Sequence, residues 1–443
     1  MRRQHTSGRS YRFRLGAIVA AAVVLRVGLL VYADRRPALF EFPDSHRYVD
    51  VARNIARGLG PIETDGPVAG TDPLYPFLLA LWIPVVGDEE AVIMRVGRIL
   101  NAAFAVASVL FLAALARRLA GDHVGLFAAV MLAIDPILLF FNALVLTETA
   151  YITVLLAGVY CIVRLGTPSA IPTVDRESRP LSRGDGGVAG HSGRPPIADR
   201  LPTWAILGGV CLGLGTLLRS SGLLIPLALA PFVWHRAGGG DRWRRSIGAT
   251  ACFLLAGGVM QAPTIIRNAR LFHAFVPVRT GSGASLMEGL GPWADGGPGM
   301  DRIVYPAGAA GAGEIERDRL CRREALAWAR AHPAEALRLA WVKLKRTWSI
   351  ALHATGYVSW PYRVICWLTV APVFALAAGG IVLWRRRRWE VLLLLLPAVY
   401  FTLVHMVFVG SVRYRVPAMP FLFVLAAVAL RRFLVPPRAA CRR

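Results

Sequence analysis

The sequence predicts an all-α polytopic membrane protein of about ten transmembrane helices. Of its 443 residues, 55% are hydrophobic and only 18% are charged, and the mean hydropathy is +0.50. Apolar runs long enough to cross about 30 Å of hydrocarbon recur along the chain. The formal net charge is +24, with most basic residues between these runs or at the termini. That distribution is typical of loops at an anionic cytoplasmic leaflet, and no nucleic-acid-binding motif accompanies it.

The alternation of apolar runs with basic linkers places both termini in the cytoplasm. The first run is too long for a removed signal peptide and lacks its small-residue cleavage site. The apolar segment at 72–87 is short for a crossing, so it is predicted to be interfacial or re-entrant. The predicted spans are residues 15–33, 92–116, 124–141, 146–163, 204–218, 223–234, 247–262, 364–384, 391–409 and 416–433.

The loops divide the chain into three parts. Residues 1–262 are predicted to form a catalytic transmembrane module, which includes the first outer loop at 34–92. Residues 164–202 are rich in Arg, Ser, Gly and Pro and are predicted to be a disordered cytoplasmic linker. Residues 263–362 form an outer subdomain with two amphipathic helices broken at His332-Pro333, and residues 363–443 supply the last spans and a basic tail. The first outer loop also contains an amphipathic helix, with apolar residues at helical spacing from Val49 to Leu59.

Six arginines break the positive-inside pattern, since they fall at outer span ends, and three acidic residues lie on the same side. Such residues cost free energy there unless they meet a partner of opposite charge. A cluster of arginines beside carboxylates suits a lipid phosphate that carries a sugar, because guanidinium groups bind phosphate oxygens in bidentate fashion. A carboxylate there would accept the proton of an attacking hydroxyl. The basic residues are Arg219, Arg267, Arg270, Arg279, Arg413 and Arg415, and the acidic ones are Asp44, Glu148 and Asp72.

An ordered set of motifs carries a resemblance to a known family. The segments are FPDSHRYVDVARNIARGLG, TDPLYPFLLAL, VIMRVGRILNAAFAV, LVLTETAY, GTLLRSSGLLIPL, QAPTIIRNARLFHAFVPVRTGSGASLMEG, HPAEALRLAWVKLKRTWS and RYRVPAMPFL. Together they resemble the GT-C membrane glycosyltransferases, in particular the bacterial branch related to protein O-mannosyltransferases and the aminoarabinose transferase of lipid A. They cover nearly the whole chain except the linker.

The resemblance implies an inverting hexosyl- or pentosyltransferase that takes its sugar from a polyprenyl-phosphate donor. It places the reaction at the periplasmic or exterior face of the inner (plasma) membrane, with a lipid, glycan or protein as acceptor. Asp44 falls where the family places its catalytic carboxylate, although Ser45 follows it where many relatives carry a second acid. Glu148 falls at the second acidic position and Arg219 at a donor-phosphate position. The donor roles of Arg413, Arg415, Arg267 and Asn268 rest mainly on the family, and His46 and Tyr48 are candidates for the acceptor site.

Each of these residues also has a purely structural interpretation. Asp44 and Glu148 precede predicted helices and so qualify as helix caps. Arg219 qualifies as a snorkelling residue, and so does Arg26 within the first span, for which a polar cavity is an equal alternative. The histidines show no metal-ligand spacing, so no metal is predicted, while a divalent cation on the donor phosphate is left open. The alternative function is a transporter or flippase of lipid-linked sugars, although no repeated half is evident.

Overall fold

Helices form the regular structure of the protein. The computed structural model describes residues 2–64, 66–166, 201–351 and 359–435, and within these ranges it contains no β-strand. The predicted all-α class is therefore confirmed, while residues 167–200 of the predicted linker lie outside the described residues. The helices are α1 (Arg2–Arg35), α2 (Pro43–Ala56), α3 (Leu74–Ala80), α4 (Ile83–Val86), α5 (Glu90–Ala120), α6 (Asp122–Ile134), α7 (Pro136–Ala143), α8 (Glu148–Leu165), α9 (Leu201–Leu218), α10 (Ile225–Ala237), α11 (Trp243–Phe272), α12 (Ser282–Gly289), α13 (Glu314–Ala331), α14 (Pro333–Thr347), α15 (Trp360–Leu383), α16 (Arg388–Val407), α17 (Val412–Arg415) and α18 (Met419–Leu434).

Among the described residues, 8 helices are long and apolar enough to cross a membrane, and 9 if one bent pair is counted as a span. The bent pair is α6 and α7, which meet at 54°. The bend lies at Asp135-Pro136, where proline interrupts the helical ladder and the Asp135 carboxylate accepts a hydrogen bond from Leu138 N at 2.8 Å. Asp135 is therefore the N-cap of α7 at the point where the two helices meet.

The predicted sixth span is shorter than the others. Its helix, α10, has 13 residues and rises only about 20 Å. It still connects the two ends of the bundle, because it follows Arg219 at one end and its Arg236 pairs with Glu390 at the other, at 3.4 Å. The end that carries Asp44, Glu148 and Arg219 is called the site end below, and the other is called the opposite end.

Close backbone approaches hold the central helices in place. A Cβ on Gly209 of α9 would lie 2.1 Å from the carbonyl oxygen of Phe253 in α11, so the two helices pack there as only small residues allow. Arg26 of α1 is 2% exposed and donates to the carbonyl oxygens of Ala22, at 3.0 Å, and Ala133, at 3.2 Å. It therefore faces the bundle and does not snorkel.

Short and amphipathic helices cover the site end. α2 covers the amphipathic stretch predicted in the first outer loop only as far as Ala56, so Leu59 lies outside it, and α3 and α4 form the short apolar segment. α13 ends and α14 begins around His332, so the break predicted at His332-Pro333 is confirmed. α14 packs against α16 and α17, while α12 packs against α13. These elements surround the candidate site from the membrane surface.

Candidate active site

A buried non-helical segment positions Glu148. Residues 144–147 separate α7 from α8, and Asn101 Nδ2 of α5 donates to the carbonyl oxygens of Leu144, at 2.6 Å, and Leu146, at 3.2 Å. These bonds satisfy carbonyl groups that leave the helical ladder. α8 then begins at Glu148, whose side chain is fully buried. A buried carboxylate is stable only when charged or polar groups meet it.

Arg413 of α17 joins the two predicted carboxylates. Its Nη1 donates to Asp44 Oδ2 at 2.7 Å, and its Nε donates to Glu148 Oε1. The planar guanidinium presents donors on adjacent edges, so a single side chain bridges both acids. The acids come from residues 1–262 and the arginine from residues 363–443, so the first predicted part does not hold the cluster alone.

Arg219 binds the same oxygen of Glu148 as Arg413 does. Its Nη1 donates to Glu148 Oε1 at 2.6 Å, and its Nε donates to Ser221 Oγ at 3.2 Å. Glu148 Oε2 is buried and has no hydrogen-bond partner among the described residues. Two carboxylates and two guanidinium groups therefore share one site, which we call the charge cluster (Asp44, Glu148, Arg219 and Arg413).

Asp44 is the accessible member of the charge cluster. Its side chain is 32% exposed, and it lies in the first turn of α2, whose N-cap is Phe42. The capping interpretation of Asp44 is therefore wrong. Burial alone would raise the pKa of the Asp44 carboxyl, but attraction to Arg413, and to Arg47 and Arg279, holds that pKa below its ordinary value. Asp44 is thus ionised at neutral pH.

An aromatic stack supports Arg219. The His405 and Tyr414 rings lie parallel, with centroids 3.7 Å apart and an interplanar angle of 6°. The guanidinium of Arg219 lies over the Tyr414 ring, 5.5 Å from the ring centroid. Such cation–π contacts orient a cation without neutralising it. Arg219 therefore keeps its charge for Glu148 or for an anionic ligand.

A second polar group adjoins the charge cluster. Asp72 Oδ1 accepts a hydrogen bond from Ser220 N at 3.2 Å and lies 3.7 Å from Arg279 Nε. Arg279 also donates to Ser220 Oγ at 3.0 Å and to Gly70 O at 3.0 Å. Burial raises the pKa of the Asp72 carboxyl against the lowering effect of Arg279. These contacts connect the first loop, through Gly70 and Asp72, to Ser220, which follows Arg219 after the end of α9.

The two predicted acceptor residues on α2 lie in different surroundings. His46 Nδ1 pairs with Glu90 Oε1 of α5 at 2.5 Å, and its side chain is about half exposed. Tyr48 is buried, and its ring meets that of Tyr75 edge to face with centroids 5.4 Å apart. Burial raises the pKa of the Tyr48 hydroxyl, and the negative charges of Asp44 and Glu148 add to this effect.

The remaining predicted residues contact backbone carbonyl groups or each other. Arg267 donates to Val68 O at 3.0 Å and to Asn268 Oδ1 at 3.0 Å. Asn268 Nδ2 donates to the carbonyl oxygens of Val276 and Val278, both at 3.0 Å. These bonds attach the end of α11 to the first loop and to the loop that follows α11. Arg415 is buried beneath the charge cluster and donates to Thr347 O and Ser349 O.

The sequence analysis missed Glu288. It lies in α12, within the TGSGASLMEG segment, and its Oε1 accepts a hydrogen bond from Gly299 N at 2.7 Å. A Cβ on the next residue, Gly289, would lie 1.9 Å from Phe408 O, so α12 is held directly against the turn that precedes α17. Burial raises the pKa of the Glu288 carboxyl, and repulsion by Asp44 adds to this effect. One acid in a long loop gave no sequence signal, and only the folded loop brings it towards Asp44.

The described residues do not form a ready-made metal site. No group of three or more His, Cys, Asp and Glu side chains in these ranges is placed to hold an ion. Asp44 and Glu148 are the two nearby carboxylates, and Arg413 bridges them. In this arrangement the Arg413 guanidinium occupies the position between them, so a cation bound to both carboxylates would replace it.

Comparison with known families supports the predicted fold. A family model described as dolichyl-phosphate-mannose-protein mannosyltransferase matches residues 65–169. This segment includes Asp72 and Glu148 but neither Asp44 nor Arg413. No curated protein matches the chain.

Solved structures from an archaeon have a similar fold. AglB, the oligosaccharyltransferase of Archaeoglobus fulgidus, was determined in complex with an inhibitory peptide and a dolichol-phosphate, and it matches 95% of this chain with a TM-score of 0.56 at 12% identity. A second structure of that enzyme, in complex with Zn and sulfate, matches with a TM-score of 0.53 at 12% identity and covers 94% of this chain and 49% of the other. The chain spans about half the length of these enzymes, 50% for the first. The arrangement of helices is therefore that of the GT-C glycosyltransferases, as the sequence predicted.

ArnT of Cupriavidus metallidurans, bound to undecaprenyl phosphate, is also similar. It matches 94% of this chain and 77% of its own, at 14% identity, with a TM-score of 0.40. That score is too low to establish a shared arrangement of helices.

Proposed function

We propose that this protein is a membrane glycosyltransferase that uses a polyprenyl-phosphate-linked sugar as its donor. The single observation that carries the proposal is the bridge from Arg413 to Asp44 and Glu148, with Arg219 on the same glutamate, at one end of a GT-C bundle. The polyprenyl-phosphate ligands named for AglB and ArnT are chemically consistent with two guanidinium groups at a membrane surface.

The charge cluster suggests how donor binding and base activation are linked. Arg219 and Arg413 bind the donor phosphate and stabilise the negative charge that grows on it as the glycosidic bond breaks. As Arg413 turns to the phosphate, its attraction for Asp44 weakens and the Asp44 carboxylate becomes more basic. Glu148 keeps both arginines in place from its buried position.

The proposed chemical step is a single displacement. The acceptor hydroxyl oxygen attacks the anomeric carbon, and the bond from that carbon to the phosphate oxygen breaks with its electron pair staying on phosphate. The hydroxyl proton passes to Asp44. Attack opposite the leaving group inverts the anomeric centre.

The distribution of basic residues supports a topology for this reaction. The short connections at the opposite end of the bundle are rich in arginine, at the end of α5, after α10, between α15 and α16, and at the end of α18. The positive-inside rule then puts that end in the cytoplasm and the site end at the outer face of the cytoplasmic membrane. A lipid, glycan or protein acceptor would reach Asp44 from that face.

Reconstitution into proteoliposomes with radiolabelled polyprenyl-phosphate sugars tests the proposal. We expect Asp44→Asn to lower sugar transfer by about 10²–10⁴-fold, because the base is lost, while donor binding persists. Asp50→Asn is the matched control, since Asp50 is a carboxylate of the same helix that binds Thr64. Movement of the intact donor across the bilayer by both proteins, without sugar transfer, would instead establish a transporter.

A further inference from the structure

A basic cavity lies at the opposite end of the bundle, far from the charge cluster. It has a volume of about 320 Å³ and is formed where the ends of α5, α15 and α18 meet the start of α6. Three arginines line it, Arg387, Arg431 and Arg432, and no lining residue is acidic. We call these residues and the space between them the basic cavity.

Backbone contacts fix two of the arginines at the rim. Arg387 Nη1 donates to Leu119 O at 3.1 Å, and Arg431 Nη1 donates to Ala120 O at 3.1 Å. These carbonyl oxygens end α5, where the helix dipole attracts cations. Each described bond uses one nitrogen of a guanidinium group that has five N–H donors. The cations are thus oriented but not neutralised.

Nearby carboxylates are engaged elsewhere. Asp122, at the start of α6, pairs with Arg117 at 2.7 Å. Glu390, in the first turn of α16, pairs with Arg236 at 3.4 Å. The positive charge of the basic cavity therefore calls for an anion from outside the described chain.

The walls of the basic cavity are apolar. Leu119, Val124, Leu383 and Val428 line it beside the arginines. Leu383 is 49% exposed on the surface of α15, which is a span that faces hydrocarbon. A free phosphate ion would use the arginines but leave this wall uncovered. A lipid would satisfy both, since its phosphate meets the arginines and its acyl chain covers the wall.

We propose that the basic cavity binds the phosphate headgroup of an anionic phospholipid of the surrounding leaflet. The bound lipid connects α5 and α6 with α15 and α18, which lie in different parts of the chain. The site is independent of the sugar-transfer proposal because no residue of the charge cluster lines it.

Native mass spectrometry and thermal unfolding of the delipidated protein test this proposal with phosphatidylglycerol and phosphatidylcholine as probes. We expect phosphatidylglycerol to bind at least about tenfold more tightly than phosphatidylcholine. The triple variant Arg387→Gln, Arg431→Gln, Arg432→Gln should lose that preference. The matched control is Arg385→Gln, Arg386→Gln, Arg388→Gln, which removes three arginines of the same region that do not line the cavity. It should keep the preference.

A single variant tests whether a loss of binding comes from misfolding, and additional ligands identify the bound molecule. Arg432→Gln alone, at an exposed side chain, is expected to weaken phosphatidylglycerol binding in a folded protein. Equal loss in the control and cavity variants would overturn the proposal and indicate general surface charge. Stabilisation by inorganic phosphate as strong as that by phosphatidylglycerol would indicate a free-anion site. Tighter binding of polyprenyl phosphate would reassign the cavity to the carrier lipid.

Discussion

Arg413 and Arg415 lie two residues apart in α17 and face opposite surroundings. Arg413 binds the carboxylates of Asp44 and Glu148. Arg415 is 1% exposed, donates to backbone carbonyl oxygens at the end of α14 and lies 5.4 Å from the ring centroid of Phe374. Arg413 belongs to the proposed active site, whereas Arg415 attaches the end of α14 to α17.

The difference shows that the role of a buried cation, in ligand binding or in the fold, depends on the group that it contacts. A carboxylate partner can be exchanged for an incoming phosphate, because both are anions that bind guanidinium groups. A carbonyl partner at a helix end is part of the fold, since losing its donor leaves a buried polar group unsatisfied. Lys343 of α14 belongs to the second kind, since its fully buried side chain donates to Val407 O at 2.8 Å.

The largest expected effect is on sugar transfer, which should fall when Arg413 is replaced but not when Arg415 is replaced. We expect Arg413→Lys to lower transfer by about 10²–10³-fold, the usual cost of one misplaced donor to a developing charge. A lysine ammonium cannot bridge two carboxylates with the geometry of a guanidinium. Arg415→Lys should keep most of the activity per folded molecule. The comparison fails if both variants lose transfer equally at equal folded fraction, measured by size-exclusion chromatography.

Coupling between Arg413 and Glu148 gives the next largest effect. Each of Glu148→Gln and Arg413→Gln leaves charge unpaired in the cluster, so each should destabilise the protein, whereas the double variant removes both charges. We expect a coupling free energy of about 1–3 kcal/mol in a double-mutant cycle of thermal or denaturant unfolding. The matched cycle of Arg415→Gln with Glu148→Gln should be additive, because these residues share no described contact. Additivity in both cycles would remove the distinction between the arginines.

The sequence predicted this end of the molecule in part. The long apolar spans, much of α2 and the break at His332-Pro333 followed from hydropathy, periodicity and proline, whereas 8 or 9 of the described helices qualify as spans against the ten predicted. Asp44, Glu148 and Arg219 were singled out by charge against the membrane bias, and the structure brings these three together. The partner of each charge could not be predicted, because it depends on contacts between segments far apart in the chain. The motif RYR therefore gave Arg413 and Arg415 the same interpretation.

Loss of Arg415 should affect stability more than chemistry. Arg415→Met keeps much of the side-chain volume but leaves the carbonyl oxygens of Thr347 and Ser349 without this donor. We expect a loss of about 1–3 kcal/mol in the free energy of unfolding, with little change in transfer per folded molecule. The control is Arg338→Met on the exposed face of α14, where Arg338 pairs only with Glu335. That change should cost at most about 1 kcal/mol.

The last prediction is a pH dependence of stability that comes from Lys343. Burial lowers the pKa of the Lys343 ammonium from 10.5 to about 8. Between these values the unfolded chain binds more protons at this position than the folded protein, so the free energy of unfolding rises with pH. The wild-type protein should therefore gain stability relative to Lys343→Met as the pH increases from about 8 towards 10.5.

Thermal unfolding at neutral and alkaline pH measures this difference. Both protonation states of Lys343 donate to Val407 O, so the loss of that bond in Lys343→Met adds an offset at every pH and leaves the trend unchanged. Lys345→Met is the control, because Lys345 is exposed on the same helix and should give curves parallel to the wild type. If the Lys343→Met curve is also parallel to that of the wild type, water reaches the Lys343 ammonium. Lys343 would then not be a buried cation bound by a carbonyl group, as Arg415 is.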